Sequence, residues 1–143
     1  MSGQADGPPI GLRHRATLAV DESLTVPGLA GTFPPFRDMP PVLATTCLVA
    51  FVEATCIEAL RPYLEPHQRT VGIHVDLGHT AATPIGMRIA AEVELIAVDG
   101  RRLRFRVQCR DDVEVIGAGF HDRAIVDAPK FVARAQAKAR RPA

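Results

Sequence analysis

Few cysteines, almost no net charge and no long apolar run set the first limits on this 143-residue chain. Cys47, Cys56 and Cys109 form neither an even disulfide set nor a Cys-x-x-Cys pair. They read as free thiols of a reducing compartment, so the expected location is cytoplasmic. Lys and Arg total 17 against 16 for Asp and Glu, a formal charge of +1 that gives no general attraction to nucleic acid or anionic membrane. The longest mostly apolar stretch, Leu43 to Ile57, is interrupted by Glu53 and falls short of a membrane span. A basic-then-apolar leader pattern is absent from the N-terminus. The expectation is therefore a soluble protein with neither nucleic acid nor membrane as partner. P-loop, Gly-x-Ser-x-Gly and zinc motifs are missing too, and Gly117-x-Gly119 lacks the third glycine and βαβ setting of a dinucleotide fingerprint. His74 and His79 are five apart, on opposite faces of one strand, so no metal site is expected.

What is present reads as one domain, since a chain of 15.4 kDa with 47% hydrophobic residues can bury a working core. Residues 1–11 are taken as a disordered tail rich in Gly and Pro, residues 12–131 as the folded domain, and residues 132–143 as a basic C-terminal helix or tail. Leu12 to Val20 can supply a strand, and Pro27 to Pro41 a loop. Pro40-Pro41 then opens a helix expected from Val42 to about Tyr63. That helix is apolar or small nearly all round, which argues for enclosure.

Val71, Ile73, Val75 and Leu77 alternate as one face of a half-buried strand, with His79 continuing the parity. Ile89 to Ala97 alternate again up to Asp99-Gly100, a type I′ hairpin signal. Leu103, Phe105, Val107 and Cys109 form the inward face of the return strand. Val113 to Val126 reads as a last strand, with glycines at 117 and 119 for close approach or a bulge. The order of elements implies an α+β fold, an antiparallel sheet of about five strands wrapped over one long helix. Such a sheet leaves an edge for a second subunit, so a homodimer is expected.

Four side chains could carry chemistry. Glu53 is the sole charge between Val42 and Ile57, in the middle of the most enclosed element. It reads either as a desolvated carboxylate poised as base or nucleophile, or as a side chain whose helix face meets solvent or a basic partner. His79 points by parity toward the helix, where an imidazole beside a carboxylate suits acid/base work; the alternative is a strand-end His turned to water. Thr45 and Thr46 stand near the helix start, where capping is the commoner use and a substrate-binding hydroxyl the other. Eight helical residues rise about 12 Å, so Thr45 and Glu53 cannot bond directly; a shared site needs His79, substrate or a neighbouring subunit to bridge them. The stripes Arg102, Arg104, Arg106 and Lys130, Arg134, Lys138 read as solvated faces, and the helix cysteines as packing.

Several segments carry a wider resemblance. They are Leu43-Ala44-Thr45, Val52-Glu53-Ala54-Thr55-Cys56, Pro62-Tyr63-Leu64-Glu65-Pro66, His79-Thr80-Ala81-Ala82-Thr83-Pro84, Gly100-Arg101-Arg102-Leu103, Ile116-Gly117-Ala118-Gly119 and His121-Asp122-Arg123-Ala124. In this order and spacing, over roughly Pro40 to Phe131, the chain resembles the fluoroacetyl-CoA thioesterase family of hotdog-fold proteins. The resemblance implies a dimeric hotdog domain that hydrolyses a small acyl-CoA to free acid and CoA, with no cofactor beyond the CoA of the substrate. The family's catalytic Thr, Glu and His fall on Thr45, Glu53 and His79. The glycine bordering the acyl pocket matches Gly72, and an arginine associated with CoA-substrate binding matches Arg123. Of the two lid phenylalanines the first matches Phe36, while the second falls on Met39. Thr46 stands where the fluoroacetyl-specific enzyme carries a glycine. Thioester hydrolysis, rather than fluoroacetyl selectivity, is what the resemblance carries over. Rival expectations are a hotdog enoyl-CoA hydratase or dehydratase, and a non-catalytic acyl-CoA-binding dimer.

Overall fold

A computed structural model describes residues 7–142. Most of the expected tail thus lies outside the described residues. Residues 7–11 are not loose: Pro8 is buried, and the Gly11 N–H donates to the Leu95 carbonyl at 2.8 Å. The Leu95 carbonyl lies within reach, and the backbone takes it.

Five strands follow: β1 (Arg13–Ala19), β2 (Gln68–Leu77), β3 (Arg88–Asp99), β4 (Arg102–Arg110) and β5 (Val115–Asp127). They form one antiparallel sheet in the order β1-β3-β4-β5-β2. The long helix α1 (Thr45–Leu60) packs into it through Leu48, Val52, Cys56 and Leu60, all buried. Val93, Leu95, Leu103, Phe105, Val107 and Cys109 meet them from β3 and β4, as period-two alternation requires. This is the expected α+β hotdog architecture, a five-stranded antiparallel sheet curled around one central helix. A second helix, α2 (Ala128–Ala139), is capped by Asp127, whose carboxylate accepts from the Lys130 N–H at 3.1 Å. None of its residues is buried.

Four local expectations change. Helix α1 starts at Thr45, not after the proline pair, because Val42 and Leu43 are held by bridges to Pro84 and Thr25. Its N-cap is Ala44, so neither threonine caps it. The β3–β4 loop is Gly100-Arg101, flanked by the Asp99–Arg102 pair. Gly100 has φ +60° and no non-glycine residue among the described residues, Arg101 included, has positive φ, so the type I′ requirement fails and the turn follows the II′ pattern with glycine first. Finally, the alternation of β2 does not make a buried face. The pairing with β5 slips between Gly72 and His74, and Ile73 and Val75 stay 41% and 45% exposed. Strand β2 lies at the sheet edge, and one sheet covers only one side of α1. Ala50 and Ala54 on the open side of that helix are exposed as well.

The glycines of β5 do permit close approach. A Cβ at Gly117 would stand 2.4 Å from the Gly78 carbonyl oxygen, and one at Gly119, φ +155°, would stand 2.0 Å from that of Asp76. The chain beyond β2 can therefore press against β5, which carries it on to His79.

Candidate active site

Two polar clusters stand on α1, separated by two turns of helix. The first lies at its start. The Thr45 hydroxyl and His79 Nδ1 are 2.8 Å apart. His79 reaches it because the Gly78 and Thr80 N–H groups donate to the Ala118 and Ile116 carbonyls, at 3.0 and 2.8 Å. The same loop is tied to the lid segment where the Leu43 N–H donates to the Thr83 carbonyl at 2.9 Å. Desolvation by burial holds the His79 pKa below the ordinary 6.5, against a smaller upward effect of a hydrogen bond with the Ala81 backbone. Its Nε2 is buried and has no hydrogen-bond partner among the described residues. A buried ring nitrogen left unpaired is costly unless something else meets it.

The second cluster surrounds Glu53. Of the two readings of Glu53, the structure bears out the one that meets solvent and a basic partner: its side chain is 39% exposed, on the uncovered side of α1. It is held from below. Arg123 on β5 is only 2% exposed, and its Nη1 donates to Glu53 Oε2 at 3.0 Å. The rest of the guanidinium is occupied. Nε donates to the Thr70 hydroxyl at 2.8 Å, Nη2 to the Thr70 carbonyl at 2.9 Å, and Nη1 also approaches His121 Nε2 at 3.0 Å. Arg123 thus lies beneath the carboxylate, with each of its three guanidinium nitrogens bonded within the protein. Gly72 borders the same cluster: a Cβ there would stand 2.6 Å from Glu53 Oε2. Within one chain the structure joins Thr45 to His79, and Glu53 to Arg123 and Gly72. Glu53 and His79 make no direct bond.

His121 went unnoticed as a site residue. Its signal was parity, since positions 121 and 123 share one face of β5 with the glycines at 117 and 119, and an imidazole there is inward. Phe33 was missed too. Its ring stacks with that of Phe36, centroids 5.4 Å apart and tilted by 39°, while Met39 is exposed. Phe33 and Phe36 thus form an aromatic pair in the loop before α1, with Phe33 itself 50% exposed. A groove of about 600 Å³ opens near the end of α1, lined by Ile57 on the helix, by Arg61 just past its last residue, and by Gln68, Arg69 and Thr70 on β2. Buried Cys56 has its thiol pushed up to about 12 by desolvation, so it is inert packing. Among the described residues no group of three His, Cys, Asp or Glu side chains could hold a metal ion.

Residues 20–129 match the sequence model of the fluoroacetyl-CoA-specific thioesterases. The fluoroacetyl-CoA thioesterase of Streptantibioticus cattleyicolor is 39% identical over 133 residues, which is 93% of this chain and 96% of that protein. A solved structure of a fluoroacetyl-CoA thioesterase superposes with a TM-score of 0.89 at 38% identity, covering 96% of this chain and all of that one. A thioesterase superfamily member from Thermus thermophilus, 24% identical, superposes with a TM-score of 0.84 over 94% of this chain and 95% of its own, a likeness of fold.

Proposed function

This chain belongs to the fluoroacetyl-CoA-specific thioesterase family, and on that footing we propose that it hydrolyses a small acyl-CoA to free acid and CoA, with Glu53, His79 and Thr45 as its catalytic side chains. The observation that carries the reading is the unpartnered His79 Nε2, a buried acid/base nitrogen whose other ring nitrogen is already held by Thr45. When the Thr45 hydroxyl donates to Nδ1, the proton sits on Nε2, facing substrate.

Hydrolysis needs a nucleophile at the carbonyl carbon, stabilisation of the oxyanion and a proton for the leaving thiolate. Arg123 takes Oε2 of Glu53, so Oε1 is the oxygen for the reaction. It either removes a proton from water, whose oxygen bonds the carbonyl carbon, or bonds that carbon itself to give a mixed anhydride that water then cleaves. In both routes the C–S bond breaks, and the thiolate takes up the proton released by the attacking water, relayed through the His79 imidazole, which ends neutral as it began. These steps use side chains alone, with CoA as part of the substrate. Phe36, paired with Phe33, and Met39 border the acyl entrance in this reading, and Gly72 leaves the space beside the carboxylate.

The working unit in this reading is a homodimer. Edge strand β2, with Ile73 and Val75 exposed, meets its own copy, and the open face of α1 with Ala50 and Ala54 is covered at the same time. Two clusters that do not touch within one chain then meet across the interface, each site drawing Glu53 from one copy and His79 from the other. Three free thiols suit a cytoplasmic setting.

The test is release of free CoA thiol from acetyl-, fluoroacetyl-, short branched, aromatic and long-chain acyl-CoAs, by wild type and Glu53→Gln. Thiol release that vanishes in the variant is the expected result. A folded wild type that releases none from any member of the panel overturns the reading. Incorporation of oxygen-18 from water into the Glu53 carboxylate during turnover separates the covalent route from the activated-water route.

A further inference from the structure

Beneath Glu53 and Arg123 lies a third ionisable group that the proposed reaction does not use. His121 is 1% exposed, on β5 opposite Phe105 of β4. Its Nδ1 stands 2.8 Å from the carbonyl oxygen of His74, on the far side of the slip in β2. A carbonyl oxygen only accepts, so Nδ1 carries the proton. In the neutral ring Nε2 is then a bare acceptor, and it lies 3.0 Å from Arg123 Nη1. The two hydrogens of that nitrogen are thereby divided, one to His121 Nε2 and one to Glu53 Oε2.

The backbone thus dictates the tautomer, and the tautomer dictates where the guanidinium points. Thr70 fixes the other edge of Arg123 through its hydroxyl and carbonyl. Without an acceptor at His121 Nε2, one buried N–H of a permanent cation loses its partner, and the guanidinium gains a reason to tilt away from Glu53. We propose that His121 is a positioning residue: its neutral Nδ1–H tautomer, set by the His74 carbonyl, orients Arg123 and through it aims the Glu53 carboxylate. The proposal rests on the thioesterase reading above for its kinetic consequence, though not for its geometry.

Burial supports the neutral form, holding the His121 pKa below 6.5, with the charge of Arg123 acting in the same direction. The His74 carbonyl bond and the charges of Glu53 and Asp122 act against it. A protonated ring would set an N–H against the guanidinium at 3.0 Å, where the acceptor now stands.

Two substitutions separate the halves of the imidazole. His121→Asn keeps an N–H near the Nδ1 position for the His74 carbonyl and loses the acceptor for Arg123. His121→Gln brings an amide oxygen to the Nε2 position. On the acyl-CoA that wild type hydrolyses fastest, His121→Asn is expected to lower kcat by at least about tenfold with KM within about threefold, and His121→Gln to recover much of that loss. Equal kcat values for the two variants, or a loss confined to KM, overturn the proposal. Long-range proton–nitrogen NMR of the wild-type imidazoles judges it independently of activity: at pH 7 the His121 ring is expected as the Nδ1–H tautomer. An Nε2–H or doubly protonated ring overturns it. A wild type without activity sinks the thioesterase reading and leaves the NMR result to decide the tautomer claim.

Discussion

Gly72→Ala adds one methyl group at the point where the fold has no room beside the carboxylate. The new Cβ would stand 2.6 Å from Glu53 Oε2, 3.3 Å from His121 Cε1 and 3.4 Å from Arg123 Nη1. Ordinary contact starts near 3.4 Å, so the Glu53 oxygen must retreat by about 0.8 Å. Its ion pair with Arg123 has a length of 3.0 Å, and good hydrogen-bond geometry ends at about 3.2 Å. That retreat therefore strains or breaks the bond. The backbone is not strained, since Gly72 is absent from the positive-φ residues, and Ala in a strand is favoured over Gly by about 0.5–1 kcal/mol. Folding stability should consequently change little, because the far end of a flexible side chain absorbs the clash. Activity should not be spared: a misplacement of this size costs on the order of a hundredfold in rate, about 2.7 kcal/mol of barrier. The assay pairs thiol-release kinetics with urea unfolding of both proteins. A Gly72→Ala protein with wild-type kcat and KM would refute the claim that Arg123 and Gly72 together fix the reactive carboxylate.

Other outcomes follow from the same geometry. Thr45→Val removes the hydroxyl from His79 Nδ1 and is expected to lower kcat by about ten- to a hundredfold; unchanged kcat would detach Thr45 from the chemistry. Because desolvation holds His79 below its ordinary pKa, its ring is mostly neutral at pH 6.5 and reaches half-protonation only at lower pH; an acid limb in kcat assigned to His79 with its midpoint above 6.5 refutes this. Asp111 accepts from the Val113 and Glu114 N–H groups, at 2.8 and 2.9 Å, and from the Thr83 hydroxyl at 2.9 Å. Burial pushes its carboxyl upward, but those donors and Arg110 outweigh burial and hold it below the usual range. Its contribution is therefore present above the unfolded pKa and lost as pH falls through the lower folded one. Asp111→Ala should cost about 1–3 kcal/mol in urea unfolding at pH 7 and flatten the acid side of the stability curve. Val75→Lys places a charge on the exposed edge strand. Sedimentation should show wild type at twice the 15.4 kDa chain mass and the variant at one; a wild type sedimenting as monomer removes the dimer.

Periodicity made the architecture readable. The alternation of Leu103, Phe105, Val107 and Cys109 states which face of β4 is inward, and each of the four is buried, because side-chain parity in a paired strand is set locally. The length and composition of α1 likewise announce a central helix, and the glycines of β5 announce close approach. Thr45, Glu53 and His79 could be picked out as residue types that needed a reason to stand where they do. Sequence could not say which sides of α1 and β2 the fold covers. An element apolar all round looks the same whether its own sheet encloses it or a face is left open, as with Ala50, Ala54, Ile73 and Val75. For that reason Glu53 reads equally as a desolvated carboxylate or as one meeting solvent and a basic partner; the fold leaves it 39% exposed and paired with Arg123, and gives His79 to Thr45. Only tertiary structure brings Arg123 and His121 under Glu53, since positions 53 and 123 lie 70 residues apart in the chain. Local pattern fixes period and parity; which charge meets which is decided when β5 pairs with β2 and α1 settles on the sheet.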